Sequence, residues 1–198
     1  MSVRAVQQPV LRTPRLILRA PEPRDTANMQ LLAGDKRVAD MTLTIPHPYP
    51  DGAAETWLAE RNVMWNDGTG VTFAITLPRK GDDGAESSGE LIGAIGLSVK
   101  AEHARAEIGY WVGVPHWNLG YVTEASVAVM DWGFRVLELN RIEARYYIAN
   151  IASGRVMQKL GMQFEGIHRE YTRRNGVFRD IAVYATLARD APPIRANP

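Results

Sequence analysis

The sequence predicts a single α+β domain, built on a twisted, mixed but mostly antiparallel sheet of about seven strands with helices on both faces. The chain has 198 residues, of which 45% are apolar, which is enough for one buried core. Apolar residues alternate in some segments and recur at helical spacing in others, in the order β-α-α-β-β-β-α-β-α-β-β. No internal repeat or linker divides the chain.

The first part of the chain predicts one strand and two helices. "RLILR" (15–19) alternates apolar and charged residues, as an edge strand does. A helix is expected to begin near Pro23 and to end at Gly34, because proline suits a first helical turn and glycine a helix end. A second helix is expected to begin after Asp51 and to end near Gly68.

The middle of the chain predicts a three-stranded meander. Segments 71–77, 90–99 and 104–114 are short and rich in β-branched and aromatic residues. Residues 78–89, "PRKGDDGAESSG", are polar and rich in turn-forming residues. We expect them to form a mobile hairpin loop.

The last part of the chain predicts helices that alternate with strands. From Tyr121 onward two apolar stripes at helical spacing predict a helix packed against a sheet. The stripes are Val122, Ala125, Val129, Trp132 and Val136, and Val127, Met130, Phe134 and Leu137. A strand over 141–149 and a short helix over 153–161 follow. Two final strands are expected on either side of Asn175-Gly176, a strong hairpin signal.

Composition excludes several classes of function. The chain has no cysteine, which excludes disulfides, thiolate metal sites and a cysteine nucleophile and favours a cytoplasmic location. Its formal charge of +1 argues against a nucleic acid or a membrane surface as partner. There is neither a signal peptide pattern nor an apolar run of about 18 residues. The four histidines lack metal-ligand spacing, so we expect no metal.

A glycine precedes the longest apolar helix, in "WNLGYVTEA" (117–125). The first N–H groups of a helix have no partner within it, and the peptide dipoles place about half a positive charge there. Gly120 would let several N–H groups converge on one anion, such as a diphosphate. A tight turn would also need glycine, and Glu124 would stabilise the helix dipole whatever binds nearby. The residues alone leave both interpretations open.

Four segments that resemble known motifs follow one another along the chain: "TPRLILRAPEPRD", "PHPYPDGAAETWL", "AEIGYWVGVPHWNLGYVTEA" and "NIASGRVMQKLGMQFEG". Together they resemble the RimJ/RimL-type branch of the GNAT superfamily of acetyl-CoA-dependent N-acetyltransferases, from about Thr13 to Leu187. The resemblance implies an acyltransferase whose sheet is splayed near its middle, with acetyl-CoA entering the splay. It implies an N-terminal extension over 1–12, a GNAT domain over 13–188 and a flexible tail over 189–198.

The resemblance also implies a cofactor site. The family's diphosphate loop usually reads Gln/Arg-x-x-Gly-x-Gly/Ala, and here Trp117, Gly120 and Val122 hold those positions. Asn118 stands where this branch often has another glycine. Amides of 117–122 would hold the diphosphate, and the backbone of 111–114 would pair with the pantetheine arm. The implied cofactor-binding residues are Trp111, Val112, Val114, Trp117, Asn118, Leu119, Gly120, Tyr121, Val122, Asn150 and Ser153.

Glu107 is the expected catalytic base. On its predicted strand it shares a face with Gly109, and space beside a carboxylate is what a substrate channel requires. By resemblance, a glutamate at this strand position serves as the base in some GNAT relatives. The alternative is an ordinary surface carboxylate paired with Arg105 or Arg145.

The sequence identifies the catalytic acid less clearly than the base. Many GNAT enzymes carry a tyrosine where this chain has Met157, which cannot donate a proton. By resemblance, Ser153 would instead donate a hydrogen bond to the departing sulfur. Helix capping is the alternative role for both Asn150 and Ser153, and of the two Asn150 is the better candidate for cofactor contact. Because no cysteine or activated serine is present, direct attack in a ternary complex is favoured.

The acceptor and the assembly stay open. The acceptor would be a primary amine, either a protein N-terminus such as that of a ribosomal protein or a small molecule, and the protein a monomer or a homodimer. Two other classes of function compete with the enzyme: a non-catalytic acyl-CoA-binding or regulatory module, and a ribosome-associated RNA-binding factor. The second would use an arginine cluster formed by Arg169, Arg173, Arg174 and Arg179.

Overall fold

A computed structural model of the chain describes residues 7–81 and 86–190. Over these residues eight strands and five α-helices follow one another. They are β1 (Leu11–Arg12), β2 (Ile17–Arg19), α1 (Thr26–Ala33), α2 (Lys36–Ala39), α3 (Ala53–Asn66), β3 (Gly70–Lys80), β4 (Glu86–Lys100), β5 (Arg105–Val112), α4 (Tyr121–Val136), β6 (Arg141–Tyr147), α5 (Ile151–Lys159), β7 (Gln163–Arg174) and β8 (Val177–Leu187).

All eight strands belong to one sheet, in the order β1-β2-β3-β4-β5-β6-β8-β7. Neighbours run antiparallel except for the parallel pair β5 and β6. The predicted fold class is confirmed, but the sheet has eight strands rather than about seven. The additional strand is β1, which lies inside the segment 1–12 that was expected to be an extension. Its Leu11 and Arg12 pair with Leu18 and Ile17 of β2. Two residues are too few to show the alternation that predicts a strand.

Helices cover both faces of the sheet, as predicted. On β3, Phe73 is fully buried and meets Trp132 of α4 edge-on, with ring centroids 5.9 Å apart. Its neighbour Ala74 points to the opposite face, where it packs with Met29 of α1 and Ala54 of α3.

The helix α4 packs against the sheet, but only one side of it is well covered. Ala125 and Val129 are fully buried in the main core. In contrast, Val127 and Val136 are each 57% exposed, so the expected burial of both stripes is only partly met. Val127 lies on the opposite side of the helix from Ala125 and Val129, because two residues turn a helix by about 200°. Val136 shares the stripe of Ala125 but is the last residue of α4.

The hairpin between β3 and β4 is tighter than the sequence suggested. Most of the predicted loop over 78–89 is strand, since β3 runs to Lys80 and β4 begins at Glu86. The register of β3 against β4 shifts between Thr76 and Pro78. Proline is tolerated at such an irregularity because it has no N–H to donate to the regular ladder of hydrogen bonds. The centre of the loop, 82–85, where mobility was expected, lies outside the described residues.

The final hairpin is confirmed. Asn175 and Gly176 both have positive φ, 48° and 80°, as the tight turn between β7 and β8 requires. The tail over 191–198 lies outside the described residues, and residues 189 and 190 end a short 3-10 turn. Over the described residues no helix combines the length and apolar character needed to cross a bilayer.

The sheet opens between β5 and β6. Their parallel pairing runs from Arg105 and Arg141 to Ile108 and Ala144, and there it ends. Beyond this point β5 continues to Val112, with one edge paired to β4 and the other facing the opening. This gap is the splay that the resemblance implied, and it positions the candidate site.

Candidate active site

A cavity of about 300 Å³ occupies the splay. Residues from both faces of the sheet line it, including Gly109 and Trp111 from one face of β5 and Tyr110 from the other. Further parts of its wall come from α3, β3, β4, β6, the first turns of α5 and the segment 41–45. The cavity therefore connects the two sides of the sheet.

Glu107 and Gly109 lie together on this wall, as predicted. Apart from Gly109 and its two chain neighbours, no heavy atom of the described residues lies within 4 Å of the place where a Cβ on Gly109 would sit. Open space thus adjoins the Glu107 carboxylate. The alternative ion pair is also present, because Arg145 Nε lies 3.7 Å from Glu107 Oε2. The two interpretations coexist in one arrangement.

Burial governs the acidity of Glu107. Desolvation raises its pKa, and the negative charge of Glu143 adds to this, while the guanidinium groups of Arg145 and Arg105 oppose the rise. A carboxylate with a raised pKa is better suited to accept a proton near neutral pH.

Arg145 is held in place beside Glu107 by a buried carboxylate. Glu143 is only 5% exposed and accepts hydrogen bonds from Arg105, Arg141 and Arg145 at 2.9 to 3.1 Å. Arg145 also donates to the Tyr171 hydroxyl at 3.1 Å. Because of these contacts its positive charge stays near the candidate base.

Removing the charge of Arg145 should shift the pH dependence of the reaction. The proposed base works when deprotonated, and Arg145 lowers its pKa, so Arg145→Met should raise that pKa and move the acidic limb of kcat/KM to higher pH. The pH profile of kcat/KM measures this. Arg145→Lys keeps a positive charge and is the matched control, with a smaller shift. A limb that stays in place, or moves to lower pH, would contradict this account of Glu107.

Asn150 and Ser153 begin α5, and their contacts are those of a helix cap. The Asn150 side-chain oxygen accepts from Ser153 N–H at 3.1 Å, and its amide nitrogen donates to the Met41 carbonyl at 3.0 Å. Ser153 lines the cavity. The capping alternative is thus realised by Asn150, and its contact with the cofactor stays a prediction.

A hydroxyl that sequence reasoning missed lies nearby. The Tyr110 hydroxyl is 3.5 Å from the Ser153 carbonyl oxygen, within the first turn of α5. Burial raises the pKa of Tyr110 to about 12, so the hydroxyl keeps its proton at neutral pH. Met157, one turn along α5, is 1% exposed and also lines the cavity. Tyr110 therefore supplies a donor close to the position where Met157 replaces the usual tyrosine.

The bend before α4 has the conformation that its glycine allows. Gly120 is the N-cap residue, with φ of 80°, and Asn118 also has a left-handed φ of 60°, which asparagine tolerates better than most residues. Trp117, at the first position of the family's loop pattern, donates its indole N–H to the Val112 carbonyl at 2.9 Å. This bond ties the bend to the end of β5, whose Trp111 lines the cavity.

Two arginines of the final hairpin have partners within the chain. Arg174 donates to the carbonyl oxygens of Thr42 and Ile45 at 2.7 and 2.5 Å, so it braces the segment 41–45 on the cavity wall. Arg173 stacks over the ring of Phe178.

In the part of the chain that the structure describes, no group of three or more acidic residues, histidines or cysteines could hold a metal ion.

Residues 15–163 match the family described as the Acetyltransferase (GNAT) domain. This chain belongs to the GNAT family. The uncharacterized N-acetyltransferase YoaA of Bacillus subtilis is 43% identical over 99 residues, which cover 50% of this chain and 56% of that protein. The chain spans about half the length of YoaA and of three other Bacillus relatives, between 48% and 59%.

Two further comparisons place this GNAT chain near the RimJ/RimL branch. The [Ribosomal protein uS5]-alanine N-acetyltransferase of Escherichia coli is 27% identical over 151 residues, 75% of this chain and 73% of that enzyme. The solved structure of Mycobacterium smegmatis RimJ in complex with CoA-disulfide matches with a TM-score of 0.77 and 25% identity, covering 90% of this chain and 84% of that one. The family resemblance read from the sequence is confirmed.

Proposed function

We propose that this protein transfers the acetyl group of acetyl-CoA to a primary amine by direct attack in a ternary complex. The observation that carries the proposal is the cavity through the splay. It brings the Glu107 carboxylate on one face of the sheet and the first turn of α5 on the other to one space. Membership of the GNAT family supports the same reaction, and the RimJ structure with CoA-disulfide supports the cofactor.

The cofactor would lie along β5 and the bend. Beyond Ile108 one edge of β5 faces the splay, where the pantetheine arm can add to the strand by backbone hydrogen bonds. The Gly113 N–H donates to the Ile92 carbonyl of β4. In an antiparallel pair, successive residues of a strand direct their backbone N–H and C=O groups alternately toward and away from the partner strand, so those of Val112 point away from β4. The Trp117 N–H already donates to the Val114 carbonyl at 3.2 Å, so the other N–H groups of 117–122 would hold the diphosphate, which needs no particular side chain there.

The reaction follows from the groups around the cavity. Glu107 accepts a proton from the amine, and the neutral nitrogen attacks the thioester carbonyl. When the tetrahedral intermediate collapses, the carbon–sulfur bond breaks, the thiolate leaves, and the second proton lost from the nitrogen passes to that thiolate, directly or through solvent. Hydrogen bonds from Ser153 or Tyr110 would stabilise that thiolate, and little acid help is needed because a thiol pKa is about 8.5. The products are an amide and free CoA.

A protein N-terminal α-amine or a small-molecule amine is the proposed acceptor. An α-amine has a pKa of about 7.7 and is partly neutral at physiological pH, whereas a lysine at about 10.4 is almost fully charged. One carboxylate base is therefore sufficient for an α-amine. The activity named for the E. coli relative, on a ribosomal protein alanine, makes ribosomal protein N-termini the first acceptors to test.

An acceptor screen tests the proposed function. Peptides with free N-termini, polyamines, amino acids and aminoglycosides are each incubated with acetyl-CoA, and thiol release is measured together with the mass of the acetylated product. We expect turnover with at least one class, and none with the same peptide carrying a blocked N-terminus. Acetyl-CoA binding without turnover of any amine would instead indicate the non-catalytic module.

A further inference from the structure

The proposed diphosphate bend is attached to the segment that precedes β2. Glu124, in the first turn of α4, accepts a hydrogen bond from the Thr13 hydroxyl at 2.6 Å and another from the Arg15 backbone N–H at 2.9 Å. The Arg15 side chain adds a bond from Nε to the second carboxylate oxygen at 2.7 Å, and its Nη2 lies 2.7 Å from the same oxygen. The carboxylate is thus surrounded by donors from this segment.

The same guanidinium also contacts the bend itself. Arg15 Nη1 donates to the Leu119 carbonyl at 3.0 Å, and the guanidinium carbon lies 4.9 Å from the centre of the Tyr121 ring. Arg15 Nη2 is 3.4 Å from the place where a Cβ on Gly120 would sit. One side chain therefore holds the residues on both sides of the glycine.

The charge of Glu124 poses a difficulty for an anionic cofactor. Burial would raise its pKa, but the hydrogen bonds from Thr13 and Arg15 outweigh burial and hold the pKa below its usual range, so the carboxylate is ionised at neutral pH. An ionised carboxylate in the first turn of α4 repels a diphosphate bound at the N-terminus of that helix. A positive charge that pairs with the carboxylate removes most of this repulsion.

We propose that Arg15 is a positioning residue for acetyl-CoA, which neutralises Glu124 and fixes the bend through Leu119. The proposal rests on the cofactor site of the proposed function. It predicts a loss of affinity confined to ligands that carry the diphosphate, because the pantetheine arm binds along β5. A residue that merely supported the fold would weaken both parts of the cofactor alike.

The test compares CoA, measured by calorimetry, with pantetheine, which lacks the diphosphate and is measured by NMR titration. Arg15→Met should weaken CoA binding about tenfold, a size set by one exposed charge near a diphosphate. It should leave pantetheine binding within about twofold. Adding Glu124→Gln should restore at least about threefold of the lost affinity, since the unpaired charge is then gone. A double variant that binds CoA no better than Arg15→Met would overturn the proposal, as would equal losses for both ligands.

Two further variants keep the test decisive. Arg12→Met is the matched control, because Arg12 lies in the same segment but pairs with Glu86, and its CoA binding should equal that of the wild type. If Arg15→Met fails to fold, Glu124→Gln alone should bind CoA at least as tightly as the wild type, and weaker binding would overturn the proposal. A folded wild type that binds no CoA would contradict the proposed function as well.

Discussion

Replacing Glu107 with glutamine should lower kcat about 100- to 10,000-fold and leave the affinity for acetyl-CoA unchanged. The carboxylate lines the cavity beside open space, whereas the cofactor is proposed to contact the backbone of β5 and the bend. The loss should therefore fall on the chemical step. Calorimetry with acetyl-CoA and steady-state kinetics with a saturating acceptor measure the two effects separately.

The pH profile sharpens this prediction. A glutamate base is active above its pKa, which burial raises in Glu107, so the wild-type rate should fall as the pH drops through that value. Glutamine does not titrate, and the acidic limb should flatten. Glu102→Gln makes the same chemical change at an exposed residue outside the cavity and should leave both rate and profile unchanged. Unaltered turnover of Glu107→Gln would exclude the proposed base.

Gly109→Leu should strongly lower the rate of acetyl transfer without unfolding the protein. Beyond its two chain neighbours, a Cβ at Gly109 would meet no heavy atom of the described residues within 4 Å, so the larger side chain extends into the cavity rather than into the core. We expect kcat/KM for the acceptor to fall on the order of 100-fold or more, because small misplacements of reacting groups cost that much.

Two other glycine variants serve as controls for this prediction. Gly109→Ala should remain folded and active, and more stable by about 0.5 to 1 kcal/mol, because glycine is unfavourable within a strand. Gly96 lines the same cavity, but its Cβ would lie 2.4 Å from the Val71 carbonyl oxygen, so Gly96→Ala should lose stability instead. Thermal unfolding and kinetics distinguish these outcomes. Wild-type activity in Gly109→Leu would show that the acceptor does not use this space.

The features that sequence could predict are those set by local pattern. A period of two along β5 assigns Glu107 and Gly109 to one face whatever the rest of the chain does. Likewise, a glycine before a helical stripe marks the start of α4, and Gly120 is indeed its N-cap. Asn175 and Gly176 specify their turn because few other residue pairs accept positive φ twice.

The features that sequence missed depend on contacts between distant segments. Tyr110 lies on the face of its strand opposite Glu107, and only the docking of α5 against β5 brings its hydroxyl to Ser153. Arg174 braces the segment 41–45 from a hairpin about 130 residues away, and no local pattern indicates that partner. The periodicity of a strand predicts which face a side chain occupies. It does not predict which distant segment will pack against that face.

Trp117 shows how the structure explains a departure from the family pattern. The usual residue at this position is glutamine or arginine, each with a polar side chain that can donate. The indole N–H keeps one donor, and the structure uses it on the Val112 carbonyl. The bend is thereby attached to β5 even though its first pattern residue has changed.

A crystal structure of this protein with bound CoA tests the central claim most directly. We expect to find the diphosphate within hydrogen-bonding distance of backbone N–H groups in 117–122, and the thiol in the cavity between β5 and the start of α5. A diphosphate bound elsewhere, with those amides left to solvent, would contradict the cofactor site and each catalytic role assigned around it.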